Sequence, residues 1–162
     1  MNKSLAIIGK NLLGNKGVNY KTKLNLCGLK ATPQRLTLMS ELSKRGHLTI
    51  EAIYQTLKVL QPMLSLSTVY NNLAALTERG LVRELAIAGE RQVFELAQKE
   101  HAHLICRKCG EILDIDADYA AIRRALNLPS GAKLEEGDLI FNGVCPNCST
   151  KKKSKSQNVN VA

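Results

Sequence analysis

Between residues 32 and 80, apolar side chains recur every three or four positions in three successive runs, each with its own start and stop signal. In the first, Thr32 offers a capping hydroxyl and Pro33 a preset first helical position. Leu36, Met39 and Leu42 form the stripe, and the run ends near Gly46. The second starts after the cap Thr49, places Ile53, Leu57 and Leu60 on one face, and must stop before Pro62. The third starts at Ser65 or Ser67, runs through Val69, Leu73 and Leu76, and stops at Gly80. Its other face carries Thr68, Tyr70, Asn71 and Asn72.

After Gly80 the period shortens to that of strands: Leu81 to Ile87, a turn at Ala88-Gly89-Glu90, then Arg91 to Leu96. Three helices and a hairpin predict a winged helix-turn-helix, whose third helix enters a DNA major groove. Tyr70, Asn71 and Asn72 are then the base readers, with Ser67 and Thr68 at the same helix end. Arg35, and Arg83 or Arg91 on the wing, are placed to meet phosphates. The competing reading is a small helical bundle that packs a core and leaves these side chains to solvent.

A polar joint, residues 97–102, leads to a second unit that reads strand (His103 to Cys106), strand (Glu111 to Ile115), helix (Ala117 to Leu126) and strand (Asp138 to Val144). A unit this small has little core of its own, so metal and a partner chain are expected to support it.

Charge sharpens the picture. The chain has 162 residues, with 23 basic and 14 acidic side chains and a formal charge of +9. Residues 1–97 hold 13 basic and 6 acidic groups, and no acid precedes Glu41. That excess favours an anionic partner, and a basic N-terminal extension over residues 1–28 is able to neutralise phosphates. The lysine-rich stretch 151–162 reads as a disordered basic tail. No apolar run is long enough to span a bilayer and no secretory signal is evident, so a cytoplasmic location is expected.

Four of the five cysteines form Cys106-Arg-Lys-Cys109 and Cys145-Pro-Asn-Cys148. Two such pairs are a strong signal for a tetrahedral structural Zn2+ site, because two thiolates three positions apart on a tight turn reach one ion. A thioredoxin-like redox pair competes, but it requires a pair that opens a helix in a βαβ unit, which neither pair is expected to do. Two disulfides do not suit a cytoplasmic chain. Cys27 stands alone, with no assigned role.

The three histidines are His47, between the first two predicted helices, and His101 and His103, which share one face of an extended segment. Glu95 and Asp114 lie near the same joint in sequence. Three imidazoles and two carboxylates suit Fe2+ or Mn2+ with a coordination position left open, whereas zinc is taken by the thiolates. Spacing alone does not bring these five residues together.

The assembled motifs resemble the ferric uptake regulator (Fur) superfamily from about Leu29 to Cys148. The matching stretches are Ala31-Thr32-Pro33-Gln34-Arg35, Ser67-Thr68-Val69-Tyr70-Asn71-Asn72-Leu73, Gly80-Leu81-Val82, His101-Ala102-His103-Leu104-Ile105-Cys106 and both cysteine pairs. The resemblance implies an α+β chain: a winged helix-turn-helix domain over 29–97 and an α/β dimerisation domain over 98–150. It also implies a homodimeric metal-dependent repressor of double-stranded operator DNA, typically an AT-rich inverted repeat. Four cysteines matching Cys106, Cys109, Cys145 and Cys148 hold structural zinc. Residues matching His47, Glu95, His101, His103 and Asp114 hold the regulatory ion.

Asp114 looks like the peroxide-sensing (PerR) branch, since iron-uptake regulators tend to carry Glu there. The segment Lys133 to Val144 also lacks the extra histidine those regulators use. Glu95 departs from the Asp common in some peroxide sensors. The branch resemblance makes His47 and His101 the positions oxidised on ferrous iron. The alternatives are an iron- or zinc-responsive uptake repressor, a Cys-X-X-Cys thiol oxidoreductase, and a constitutive architectural DNA binder.

Overall fold

A computed structural model describes residues 19–85, 87, 92–134 and 137–150. The chain divides into two units, one within residues 1–99 and the other within residues 100–162.

The first unit contains α1 (Tyr20–Leu26), α2 (Pro33–Arg45), β1 (Leu48–Thr49), α3 (Ile50–Leu60), α4 (Leu66–Glu78), β2 (Val82–Leu85) and β3 (Val93–Leu96). The expected caps are used. Thr32, Thr49 and Ser65 have extended backbones, and their hydroxyls accept from the amides of Arg35, Ala52 and Thr68. Gly46 closes α2 at φ +74°, a left-handed conformation that other residues adopt at a cost, while its amide donates to the Leu42 carbonyl.

One core joins these helices: Leu38, Met39 and Leu42 of α2, Ile50, Ile53 and Leu57 of α3, and Val69, Leu73 and Leu76 of α4. Two stripe positions differ from expectation. Leu36 is only partly buried, with Leu38 taking the deeper place. Leu60 is 62% exposed because it stands on the last turn of α3, where the chain leaves the bundle, and Leu64 from the following turn enters the core instead.

The stretch read as the end of a basic extension contains α1, which the motif reading did not predict. Asn19 caps it by accepting from the Lys21 amide, and Leu24 and Cys27 are buried in the common core. Arg79 at the end of α4 donates to the Cys27 carbonyl at 3.0 Å, fastening the end of α1. The lysines at 3, 10 and 16 lie outside the described residues.

The strand order is β1-β3-β2, all antiparallel, with Arg83 opposite Glu95 and Leu48 opposite Phe94. The two-residue β1 was not expected; it places His47 at the edge of the wing sheet. The wing strands are shorter than predicted, and the turn expected at Ala88-Gly89-Glu90 lies outside the described residues, as does Arg91.

The second unit contains β4 (Ala102–Cys106), β5 (Ile112–Ile115), α5 (Tyr119–Ala125), β6 (Ile140–Gly143) and α6 (Pro146–Thr150). Its sheet order is β5-β4-β6, with β4 antiparallel to β5 and parallel to β6. β4 and β6 approach closely at Gly143, where a Cβ would come within 2.7 Å of the Leu104 side chain. The buried apolar residues described in this unit are Ala102, Cys106, Tyr119 and Cys145, and Phe141 on the β6 edge is 52% exposed. Among the described residues this is the small core expected of the unit. No described helix in either unit is long and apolar enough to cross a membrane.

Candidate metal centres and nucleic-acid face

The parallel pairing of β4 with β6 ends at Cys106 opposite Gly143, so the turn after β4 and the segment after β6 emerge on the same side. The first turn is closed by the Gly110 amide donating to the Cys106 carbonyl at 2.7 Å, with Gly110 at φ +75°. In the second, the amides of Cys148 and Ser149 donate to the Cys145 carbonyl at 3.0 and 2.9 Å. Lys108 Nζ reaches from one turn to the Cys148 carbonyl of the other, at 3.2 Å.

The four sulfurs lie within 4.8 Å of one another, and Cys109 Sγ is 3.7 Å from Cys145 Sγ. A set of four sulfurs with no oxygen is what zinc selects. Backbone amides, first that of Cys145, hold the Cys106 thiol down to about 6, whereas burial pushes the Cys145 thiol up to about 12. One sulfur is thus ready to bind as thiolate while its neighbour keeps its proton until a cation displaces it. Contrary to the sequence reading, Cys145-Pro-Asn-Cys148 does open a helix, the five-residue α6. It follows β6, however, and among the described residues no strand comes after it, so no βαβ unit forms.

The imidazole and carboxylate residues form a partial donor set in each unit. In the first, Glu95 on β3 is buried and shares its two oxygens. Oε2 lies 3.0 Å from His47 Nε2, and Oε1 accepts from Arg83 Nε across the β2–β3 pair. A buried carboxylate needs such partners, because desolvation without them is costly. In the second, His103 on β4 stands opposite Asp114 on β5, and the His101 and His103 rings are 4.5 Å apart. Their Nε2 atoms are 3.4 and 3.8 Å from Asp114 Oδ1. Both histidines are buried, and the Tyr119 hydroxyl steadies the segment by donating to the His101 carbonyl at 2.9 Å. Two imidazoles, one on β4 and one just before it, and a carboxylate on β5 form a set that leaves open positions on a divalent transition metal.

On α4, Ser67 and Thr68 hydroxyls each lie 2.8 Å from Ser65 Oγ at the capped end, while Tyr70 and Asn71 are exposed. Asn72 turns inward: its Oδ1 accepts from Arg35 Nε at 3.1 Å and its Nδ2 donates to the Thr68 carbonyl. Arg35 also donates to the Lys30 carbonyl at 3.0 Å. Arg35 and Asn72 therefore brace α2 against α4, although both were read as facing DNA. Arg83, also expected at a phosphate, is instead the partner of Glu95. The sequence signal for that pairing is their placement at opposite positions of a hairpin centred near Gly89.

The model of the ferric uptake regulator family matches residues 27–141. The peroxide operon regulator of Bacillus subtilis is 35% identical over 128 residues, covering 76% of this chain and 87% of its own. The ferric uptake regulation protein of Synechococcus elongatus is 35% identical over 136 residues, covering 80% and 92%. Among solved structures, the ferric uptake regulator of Pseudomonas aeruginosa with manganese is similar at a TM-score of 0.60 and 26% identity, covering 80% of this chain and 99% of its own. The α+β fold, the helix-and-wing first unit, the cysteine cluster and this match lead to one conclusion: the chain belongs to the ferric uptake regulator family and is a metal-responsive transcriptional regulator.

Proposed function

We propose that this chain is a peroxide-sensing repressor that binds operator DNA as a homodimer. The observation that carries the reading is the donor chemistry. One all-sulfur cluster suits Zn2+, and each unit separately holds imidazole beside carboxylate, a donor chemistry that suits Fe2+ or Mn2+. Cys106, Cys109, Cys145 and Cys148 hold the zinc and brace a unit with little core. His47 and Glu95 from the first unit, with His101, His103 and Asp114 from the second, serve a single regulatory ion. Ferrous iron held there would promote reductive cleavage of the peroxide O–O bond, so that one peroxide oxygen is added to a nearby imidazole and the other leaves as water; manganese(II) on the same donors does not readily do so.

His47 and His101 are the residues that accept the oxygen atom. An oxygenated imidazole is a poorer donor, so each loses its hold on the ion. Donors drawn from both units couple the ion to the DNA-binding form, and losing one shifts that equilibrium toward release. Tyr70 and Asn71, exposed on α4, read base edges, with Ser67 and Thr68 at the helix end; Arg91 meets phosphates on the wing. The operator is an AT-rich inverted repeat matched to a two-fold dimer, and the protein acts in the cytoplasm. Asp114 supports the peroxide branch over an iron-uptake repressor; the Bacillus subtilis and Synechococcus elongatus relatives, one from each branch, are equally identical to the chain.

The test selects a binding duplex from random-sequence DNA with the Mn2+-loaded protein. The chain is then loaded anaerobically with Fe2+, dosed briefly with hydrogen peroxide, and assayed on that duplex and by peptide mass spectrometry. Lost binding with one oxygen atom added to His47 or His101 supports the sensor. Retained binding with unmodified histidines returns the chain to the iron- or zinc-responsive repressors.

A further inference from the structure

We infer that Arg83 is a resident counter-cation for Glu95 that sets how tightly the regulatory ion is held; the inference rests on the proposed five-residue site. Glu95 lies on the central strand of the wing sheet and is 1% exposed. Its Oε2 faces His47 Nε2 at 3.0 Å, while its Oε1 accepts a hydrogen bond from Arg83 Nε, which stands directly opposite in the strand register. The two oxygens thus have different duties. One is turned toward a fellow donor, and the other is held by a permanently charged guanidinium.

Two consequences follow from electrostatics. A divalent ion on the Oε2 side shares its carboxylate with a fixed positive charge, and two cations on one buried carboxylate repel strongly where water screens little. Arg83 also occupies the oxygen that a second bond from Glu95 to the ion requires. Both effects weaken binding of the ion, so Arg83 raises the free metal concentration at which the site fills. When the ion is absent, the guanidinium keeps a buried carboxylate compensated and the wing sheet intact. Arg83 is therefore a positioning residue that acts through Glu95, which explains an arginine turned into the wing rather than toward a phosphate.

The experiment measures Mn2+ affinity of the full zinc-loaded chain by competition with a fluorescent chelator, and follows thermal unfolding with and without Mn2+. Arg83→Met, which keeps length but removes the charge that repels the ion, is expected to bind Mn2+ about tenfold tighter than wild type. It is also expected to melt lower without the ion and to gain more from adding it. Arg83→Lys, which restores the charge, is expected to return the affinity to within about threefold of wild type. Unchanged or weaker Mn2+ binding in Arg83→Met overturns the inference. Glu95→Ala separates the two levels: if it leaves Mn2+ binding intact, the five-residue site fails; if it abolishes binding while Arg83→Met changes nothing, only the role of Arg83 fails.

Discussion

His103 and Asp114 oppose each other across β4 and β5, one residue from each strand in register, with imidazole Nε2 3.8 Å from carboxylate Oδ1. The distance is too long for a hydrogen bond and suits two donors arranged around a shared cation. Asp114→Asn keeps the shape and removes the charge. It is expected to weaken Mn2+ binding by about tenfold to a hundredfold. Zinc content, proposed to be set by the cysteines, should stay at one per chain; a variant that keeps full Mn2+ affinity removes Asp114 from the site.

Replacing Cys145 tests how far the second unit depends on its cluster. Ala102, Cys106 and Tyr119 are the other described apolar residues buried there, too few to hold a three-stranded sheet alone. Cys145→Ser should therefore lose zinc, measured by elemental analysis, together with the cooperative unfolding of the second unit. The first unit, with its separate core, should still melt cooperatively. A variant that unfolds like wild type without zinc would show that the metal is not structural.

The thiols give a pH signature. In the reduced, zinc-free chain, Cys106 is held down to about 6, so it is ionised at neutral pH and loses its charge only as the pH falls through that value. Because that value is below the ordinary thiol range, the metal-free fold gains stability as the pH rises from about 6 toward that range, and loses it again on acidification. Ultraviolet thiolate absorbance should show one step near 6 that Cys106→Ser abolishes. Cys145, pushed up to about 12 by burial, contributes no step near neutrality and releases its proton when zinc binds.

Leu24 tests whether α1 belongs to the DNA-binding unit. Its side chain is fully buried among residues of the other helices. Leu24→Ala should cost about 2–5 kcal/mol of first-unit stability, read from urea unfolding. A loss below about 0.5 kcal/mol, the range for exposed positions, would make α1 an appendage.

Local signals explain what was legible. Thr32, Pro33, Thr49 and Ser65 mark helix starts by the chemistry of unpaired amides, so α2, α3 and α4 begin where the sequence places them. The Cys-X-X-Cys spacing marked the sulfur cluster, because each turn is a self-contained structure. Helix α1 is hard to read from sequence although Tyr20, Leu24 and Cys27 fall at i, i+4 and i+7, because the lysines around them have the composition of a solvated arm. Strand β1 is too short to have a period, and it exists only because β3 is there to pair with it. Arg35 and Asn72 illustrate a third kind of miss. Polar residues near a reading helix look alike in sequence, and only packing shows that these two hydrogen-bond to each other.

The parallel pairing of β4 with β6 also bears on the order of events during synthesis. A parallel pair has no tight turn to nucleate it, and here the second strand and the second cysteine pair follow the first by more than thirty residues. Closing such a span has an entropic cost that few buried apolar residues are present to offset. An emerging chain can complete its helix-and-wing unit early, but its sulfur cluster stays open until Cys148 has left the ribosome. The proposed zinc then closes the sheet in one late step, so a nascent chain short of that cysteine presents a folded DNA-binding unit without the partner-binding half that a repressor requires.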